Sequence, residues 1–85
     1  MDRNNIEKEI VSIISDVSGY DVEEIALGTN LANDLEIDSI KAIEITVAIE
    51  KKYKISIRDE DIPNIITVKD AVQAATNLIA QKTED

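Results

Sequence analysis

Few residues in this 85-residue chain are equipped to act on another molecule or be acted on by one, and the best placed is Ser39. It stands where an acidic, Asn/Asp-rich stretch (residues 31–37) gives way to an aliphatic one. Asp38 is set to cap a helix, its carboxylate accepting from backbone N–H groups of the first turn. Ser39 then takes the first helical position, exposed and beside the positive end of the helix dipole. A hydroxyl there is well sited to carry a phosphate, because free N–H groups and the dipole both favour negative charge. As a nucleophile it lacks parts: the chain has no His to activate it, and Lys41, two residues on, points to another helical face. Pattern alone leaves two readings open, a structural residue at a helix start and an acceptor for a group added by another enzyme.

The remaining constellations exclude more than they suggest. Asp34, Glu36 and Asp38 imitate the opening of an EF-hand loop, but that loop needs Gly at its sixth position and an acid at its twelfth. Here those positions hold Ser39 and Ile45, so a calcium loop is rejected. Asp59, Glu60 and Asp61 read as a solvated helix start. Absence of Cys removes disulfides and thiolate metal sites. No Gly-rich phosphate loop occurs, and nothing points to the concave site that paired-carboxylate catalysis needs. The chain is therefore expected not to be an enzyme. With 18 acidic against 9 basic residues its formal charge is −9, which disfavours nucleic acid and anionic membranes and favours basic protein partners. No apolar run approaches the roughly 18 residues of a membrane span, and the first ten residues lack a signal-peptide core. A cytoplasmic, soluble, monomeric protein is expected.

The elements that must position Ser39 follow from spacing and caps. At this length the chain has room for a single domain, residues 1–85. Ile6, Ile10, Ile13, Ile14 and Val17 form one stripe of a helix over residues 4–18, with Asn4 and Glu7 as a capping box and Gly19 as its stop. A long connection over residues 19–37 is tacked to the core by Val22, Ile25, Leu27, Leu31 and Leu35, with one helical turn near residues 21–25. The second long helix, residues 38–53, is apolar well beyond one stripe and is expected to touch neighbours on more than one side. Residues 55–57 read as extended loop, and a short helical turn begins near Asp59, limited by Pro63. Thr67 and Asp70 open the last helix, which buries Ala71, Val72, Ala75, Leu78 and Ile79 and frays over residues 81–85. The predicted fold is all-α: a small four-helix bundle, three long helices plus one short, with a long first loop.

The stretch Asp34-Leu35-Glu36-Ile37-Asp38-Ser39-Ile40, continued by Ile43-Glu44-Ile45, resembles the phosphopantetheine-attachment signature of acyl carrier proteins, D-L-x-x-D-S-L with an apolar-Glu-apolar continuation. The similarity extends through Leu31, the segment 49–53, residues 55–57, the Asp59-Glu60-Asp61 turn and the Ile66-Thr67-Val68 opening of the last helix. It implies that a phosphopantetheinyl transferase esterifies Ser39 with 4'-phosphopantetheine from coenzyme A. The thiol of that arm then carries acyl intermediates as thioesters to fatty-acid or polyketide-type enzymes of ketosynthase, acyltransferase or acyl-ligase kind. It also implies an acidic docking face, with Asp34, Glu36, Asp38, Glu44 and Glu50 meeting basic patches and Ile40 as an exposed apolar contact. Four features depart from the pattern: Ile40 replaces Leu, and Lys41, Lys51 and Lys52 stand where carriers of fatty-acid synthesis are commonly acidic. These lysines, and the similarity of Asp38-Ser39-Ile40-Lys41 to polyketide and polyunsaturated-fatty-acid synthase carriers, imply a specialised carrier. Glu36-Ile37 does not fit the Gly-Gly pair of peptidyl carriers. A D-alanyl or aminoacyl carrier, and a helical interaction module with a structural serine, are the alternatives. Ala42, Ala48, Ala71 and Ala75 leave room between helices in which an acyl chain could be sheltered.

Overall fold

The computed structural model describes residues 3–84. Four helices follow one another: α1 (Arg3–Ser18), α2 (Leu31–Leu35), α3 (Ser39–Tyr53) and α4 (Val68–Glu84). Single 3₁₀ turns occupy Val22–Glu24 and Ile62–Asn64. The expected all-α bundle of three long helices and one short is what forms, but the short helix is not where it was expected. It lies inside the first connection, while the segment after Asp59 makes only a turn and a 3₁₀ turn with Pro63 at its second position. Five residues are too few for a helical period to show in sequence.

α1 lays Ile6, Ile10 and Ile14 fully into the core, with Val11, Ile13 and Val17 packed at its margin. It is already helical at Arg3, so Asn4 lies within the first turn rather than ahead of it; the residue preceding the helix lies outside the described ones. Gly19 ends it at φ +84°, where a side chain would be strained. Ser15 Oγ then donates to Tyr20 O at 2.6 Å, which folds Tyr20 back on the last turn.

α3 packs on α1, and its Ile45, Ile49 and Tyr53 are buried in the common core. The Tyr53 hydroxyl donates to Glu9 Oε1 at 2.6 Å, Lys52 pairs with the same carboxylate at 3.6 Å, and Lys82 Nζ donates to Tyr53 O at 3.4 Å. Lys54 turns left-handed at φ 57°, and Ile55 N donates to Glu50 O, the 6→1 bond that closes a helix C-terminus. α3 meets neighbours on more than one side, as expected: it packs on α1, and its Glu50 accepts from Ile57 N in the segment that follows, while Ile40, Ile43 and Val47 remain exposed.

α4 opens on a complete reciprocal cap. Asp70 N donates to Thr67 Oγ1, and Asp70 Oδ2 accepts from the N–H groups of Ile66 and Thr67, which holds its carboxyl below the usual range. Ala71, Val72 and Ala75 are buried; Leu78 and Ile79 only partly so. The helix continues through Glu84, and the last residue of the stretch expected to fray lies outside the described ones.

In the first connection Ile25, Leu31, Leu35 and Ile37 reach the core, but Val22 and Leu27 stay exposed. A single 3₁₀ turn turns Ile25 inward and leaves Val22 outside. Leu27 is docked by its backbone, its carbonyl accepting from Lys69 N at 2.9 Å. An isolated antiparallel bridge joins Asn30 to Thr67, flanked by Leu31 N to Ile66 O at 2.9 Å and Val68 N to Thr29 O at 3.1 Å. Residues 55–57 are extended and unpaired with any strand.

Candidate functional site

Ser39 is exposed at the first position of α3. Asp38 caps the helix as its type predicts: Oδ1 accepts from Lys41 N at 2.8 Å and its carbonyl accepts from Ala42 N at 2.9 Å. One carboxylate satisfies one N–H, and a helix start presents several. The amides of Ser39 and Ile40 have no partner among the described residues. A hydroxyl, two unspent donors and the dipole therefore converge on one exposed point.

Each element that brings the chain there is fixed separately. Asn30 caps α2 by accepting from Asn33 N at 2.9 Å, and its own N–H donates to Asp34 Oδ2 at 2.8 Å. Glu36 then turns left-handed (φ 55°), Ile37 N donates to Leu31 O at 3.0 Å, and the buried Ile37 side chain pins the turn. Beside Ser39 opens a groove of about 750 Å³ between α3 and the segment 57–66. Ala42, Ile43, Thr46 and Val47 form one wall, Ile62, Pro63, Ile65 and Ile66 the other. Several of these side chains also border a void of about 30 Å³ that reaches inward to Ile45, Ile49 and Ala71. Of the four alanines expected to leave room, Ala42 and Ala71 border these spaces; Ala48 and Ala75 do not.

The acids named from sequence fare differently. Asp34 and Asp38 are exposed but hold caps, and Glu36 Oε2 accepts from the Tyr20 hydroxyl at 3.1 Å. That contact with a carboxylate pushes the Tyr20 phenol above its ordinary value. Glu44 is exposed with no hydrogen bond or ion pair among the described residues. Glu50 is half-buried, and its Oε2 accepts from Ile57 N at 2.7 Å, so it ties the groove's far segment to α3. Ile40 is 69% exposed and Ile43 54%; at 3.6 residues per turn they share one face with Glu44, Val47 and Lys51. Lys52 is turned away toward Glu9, and Lys41 lies on that same side of the helix. Of the three helix lysines only Lys51 joins the face beside Ser39. Sequence reasoning missed Tyr20 as a partner of Glu36 and the segment 62–66 as a groove wall. Neither has a local signature, since both depend on contacts between distant parts of the chain.

Comparison with known proteins agrees with this geometry. The family model described as "Phosphopantetheine attachment site" matches residues 8–75. An acyl carrier protein of Rickettsia bellii (strain RML369-C) is 36% identical over 69 residues, covering 81% of this chain and 80% of that protein. The meromycolate extension acyl carrier protein of Mycobacterium leprae is 37% identical over 75 residues, covering 88% of this chain and 65% of that one. Among solved structures, the apo doublet acyl carrier protein from prodigiosin biosynthesis superposes with a TM-score of 0.75 at 28% identity. That match covers 87% of this chain, which spans 36% of the doublet.

The chain belongs to the acyl carrier protein family. Its members are carriers rather than catalysts, serve fatty-acid or polyketide-type biosynthesis, and meet biosynthetic enzymes and a phosphopantetheinyl transferase. The family implies a covalent 4'-phosphopantetheine, and this site fits it: an exposed hydroxyl, two unpartnered amides for a phosphate, and an apolar groove alongside. When bound, that group supplies a thiol for thioester formation, which a chain without Cys cannot supply itself. No described helix is long and apolar enough to cross a membrane.

Proposed function

We propose that residues 1–85 form one acyl-carrier domain whose Ser39 takes the phosphopantetheine arm. The observation that carries this is the convergence at α3's start of an exposed hydroxyl with two unpartnered N–H groups, at the mouth of the groove. The Ser39 and Ile40 amides would hold the phosphodiester, and Asp38 would keep the helix start in order without competing for those donors. The groove would shelter the acyl chain between α3 and the segment 57–66. The face bearing Ile40, Ile43 and Glu44 would meet partner enzymes, with Asp34, Glu36 and Asp38 setting an anionic border around Ser39 that suits a basic partner. Glu50 contributes through the groove wall it anchors. The same reading puts the protein in the cytoplasm, where coenzyme A supplies the arm.

The test is intact mass after incubation with coenzyme A and a broad-specificity phosphopantetheinyl transferase. The expected result is a gain of one phosphopantetheine, abolished in Ser39→Ala. A folded wild-type protein that gains nothing, or a Ser39→Ala variant that still gains the arm, would overturn the assignment.

A further inference from the structure

Glu36 occupies the left-handed region (φ 55°, ψ 38°), a conformation that a side chain disfavours and that glycine usually fills. Among the described residues only Lys54, at the opposite end of α3, is another non-glycine with positive φ. Three contacts hold the backbone there: the N–H groups of Glu36 and Ile37 both donate to Leu31 O, and the Ile37 side chain is buried. A further contact, from Tyr20 Oη to Glu36 Oε2, acts on the side chain alone.

Tyr20 is itself anchored before it reaches Glu36. Its ring packs at the edge of the core, its carbonyl accepts from Ser15 Oγ at 2.6 Å, and its N–H donates to Ser18 Oγ at 3.2 Å. A donor fixed to the end of α1 thus holds a carboxylate three residues ahead of Ser39. An exposed Glu side chain otherwise samples several rotamers, and ordering it on contact with a partner costs affinity. A hydrogen bond to an ionised carboxylate is the stronger kind and selects one of those rotamers in advance.

We propose that Tyr20 is a positioning residue for the modification of Ser39: its hydroxyl holds Glu36 as a preset anionic contact for the transferase that approaches the helix start. This rests on Ser39 being the attachment residue. It separates Tyr20 from the other residues packed on the core, which act through stability.

The experiment measures steady-state transfer from coenzyme A by a broad-specificity phosphopantetheinyl transferase to wild type, Tyr20→Phe, Glu36→Ala and the double variant, with the thermal midpoint of each. Tyr20→Phe keeps the ring, so the midpoint should move by only a few degrees. KM for the carrier should rise about 3- to 10-fold, the scale of one such hydrogen bond, with kcat unchanged. In the Glu36→Ala background the Phe substitution should add nothing. If Tyr20→Phe proves unstable, Glu36→Ala removes the same contact from its exposed side, and an unchanged KM there overturns the proposal. So does an unchanged KM in a folded Tyr20→Phe, or effects that simply multiply in the double variant. A wild-type protein that takes no arm is a different failure, because it removes the Ser39 assignment and this role with it before any Tyr20 variant is compared.

Discussion

The two ends of α3 are built on opposite plans. At the C-terminal end Tyr53 is buried, its hydroxyl on Glu9, with Lys52 on the same carboxylate, Lys82 on the last carbonyl region, and Lys54 closing the helix in a left-handed turn. At the N-terminal end one aspartate cap holds the turn, two amides are left over, and Ile40 and Ile43 face solvent. The first end meets both α1 and α4; the second meets mainly its own residues. Anchoring a helix firmly at one end allows the other to keep unsatisfied donors and exposed apolar area, features that cost stability wherever they occur. Cations in the last turn also complement the negative end of the dipole. Lys51 and Lys52 therefore have a structural reason to be there, and the sequence-based inference of a specialised carrier keeps only Lys51 on the face beside Ser39.

Substitutions at the two ends should accordingly separate stability from function. The largest expected loss is at Ile49, fully buried between them: Ile49→Ala should cost about 2–5 kcal/mol and lower the thermal midpoint by roughly 10 °C or more, read by far-UV circular dichroism. Retained cooperative melting within a few degrees of wild type would mean that α3 is not held as described. Tyr53→Phe should cost about 1 kcal/mol and leave transfer to Ser39 unchanged. It should also alter the alkaline limb. Burial first, then the hydrogen bond and charge of Glu9, push the Tyr53 phenol well above its ordinary value. The unfolded phenol ionises near roughly pH 10 while the folded one stays protonated, so its stabilising contribution is complete below that pH and is lost as pH rises beyond it. The variant should show a shallower fall of midpoint with pH, with tyrosinate absorbance as the check. Smallest in stability is Glu44→Lys at the open end. Its midpoint should match wild type, while kcat/KM with the transferase falls several-fold at low salt and recovers as salt is added. A salt-independent loss would assign Glu44 a role other than steering.

What could be read from sequence was local. Asp38, Gly19, Thr67 and Asp70 are caps and stops whose chemistry is complete within four residues, and each sits where its type predicts. Ser39 was readable for the same reason. What sequence concealed is the difference between apolar side chains that fill a core and those that line an opening. Ile43 and Ile45 are the same residue two positions apart, yet one is exposed beside the groove and the other buried in the core. Periodicity does not record which neighbour a face meets. Glu50 looked like a surface acid and proved to be a tether for Ile57, and Glu36 gave no sign of a left-handed backbone because glycine, not glutamate, is the usual mark of one.

The bridge between Asn30 and Thr67 has a mechanical consequence. Its flanking bonds, from Leu31 to Ile66, Val68 to Thr29 and Lys69 to Leu27, clamp the start of α2 to the start of α4. The segment 57–65 ahead of that clamp is held by Glu50 at Ile57 and by its own short turns, and Pro63 offers no N–H to a neighbour. The rim that faces Ser39 across the groove is therefore tied at both ends, to α3 at Ile57 and to the start of α2 at residues 66–68, and Ile62 and Ile65 pack it on the core in between.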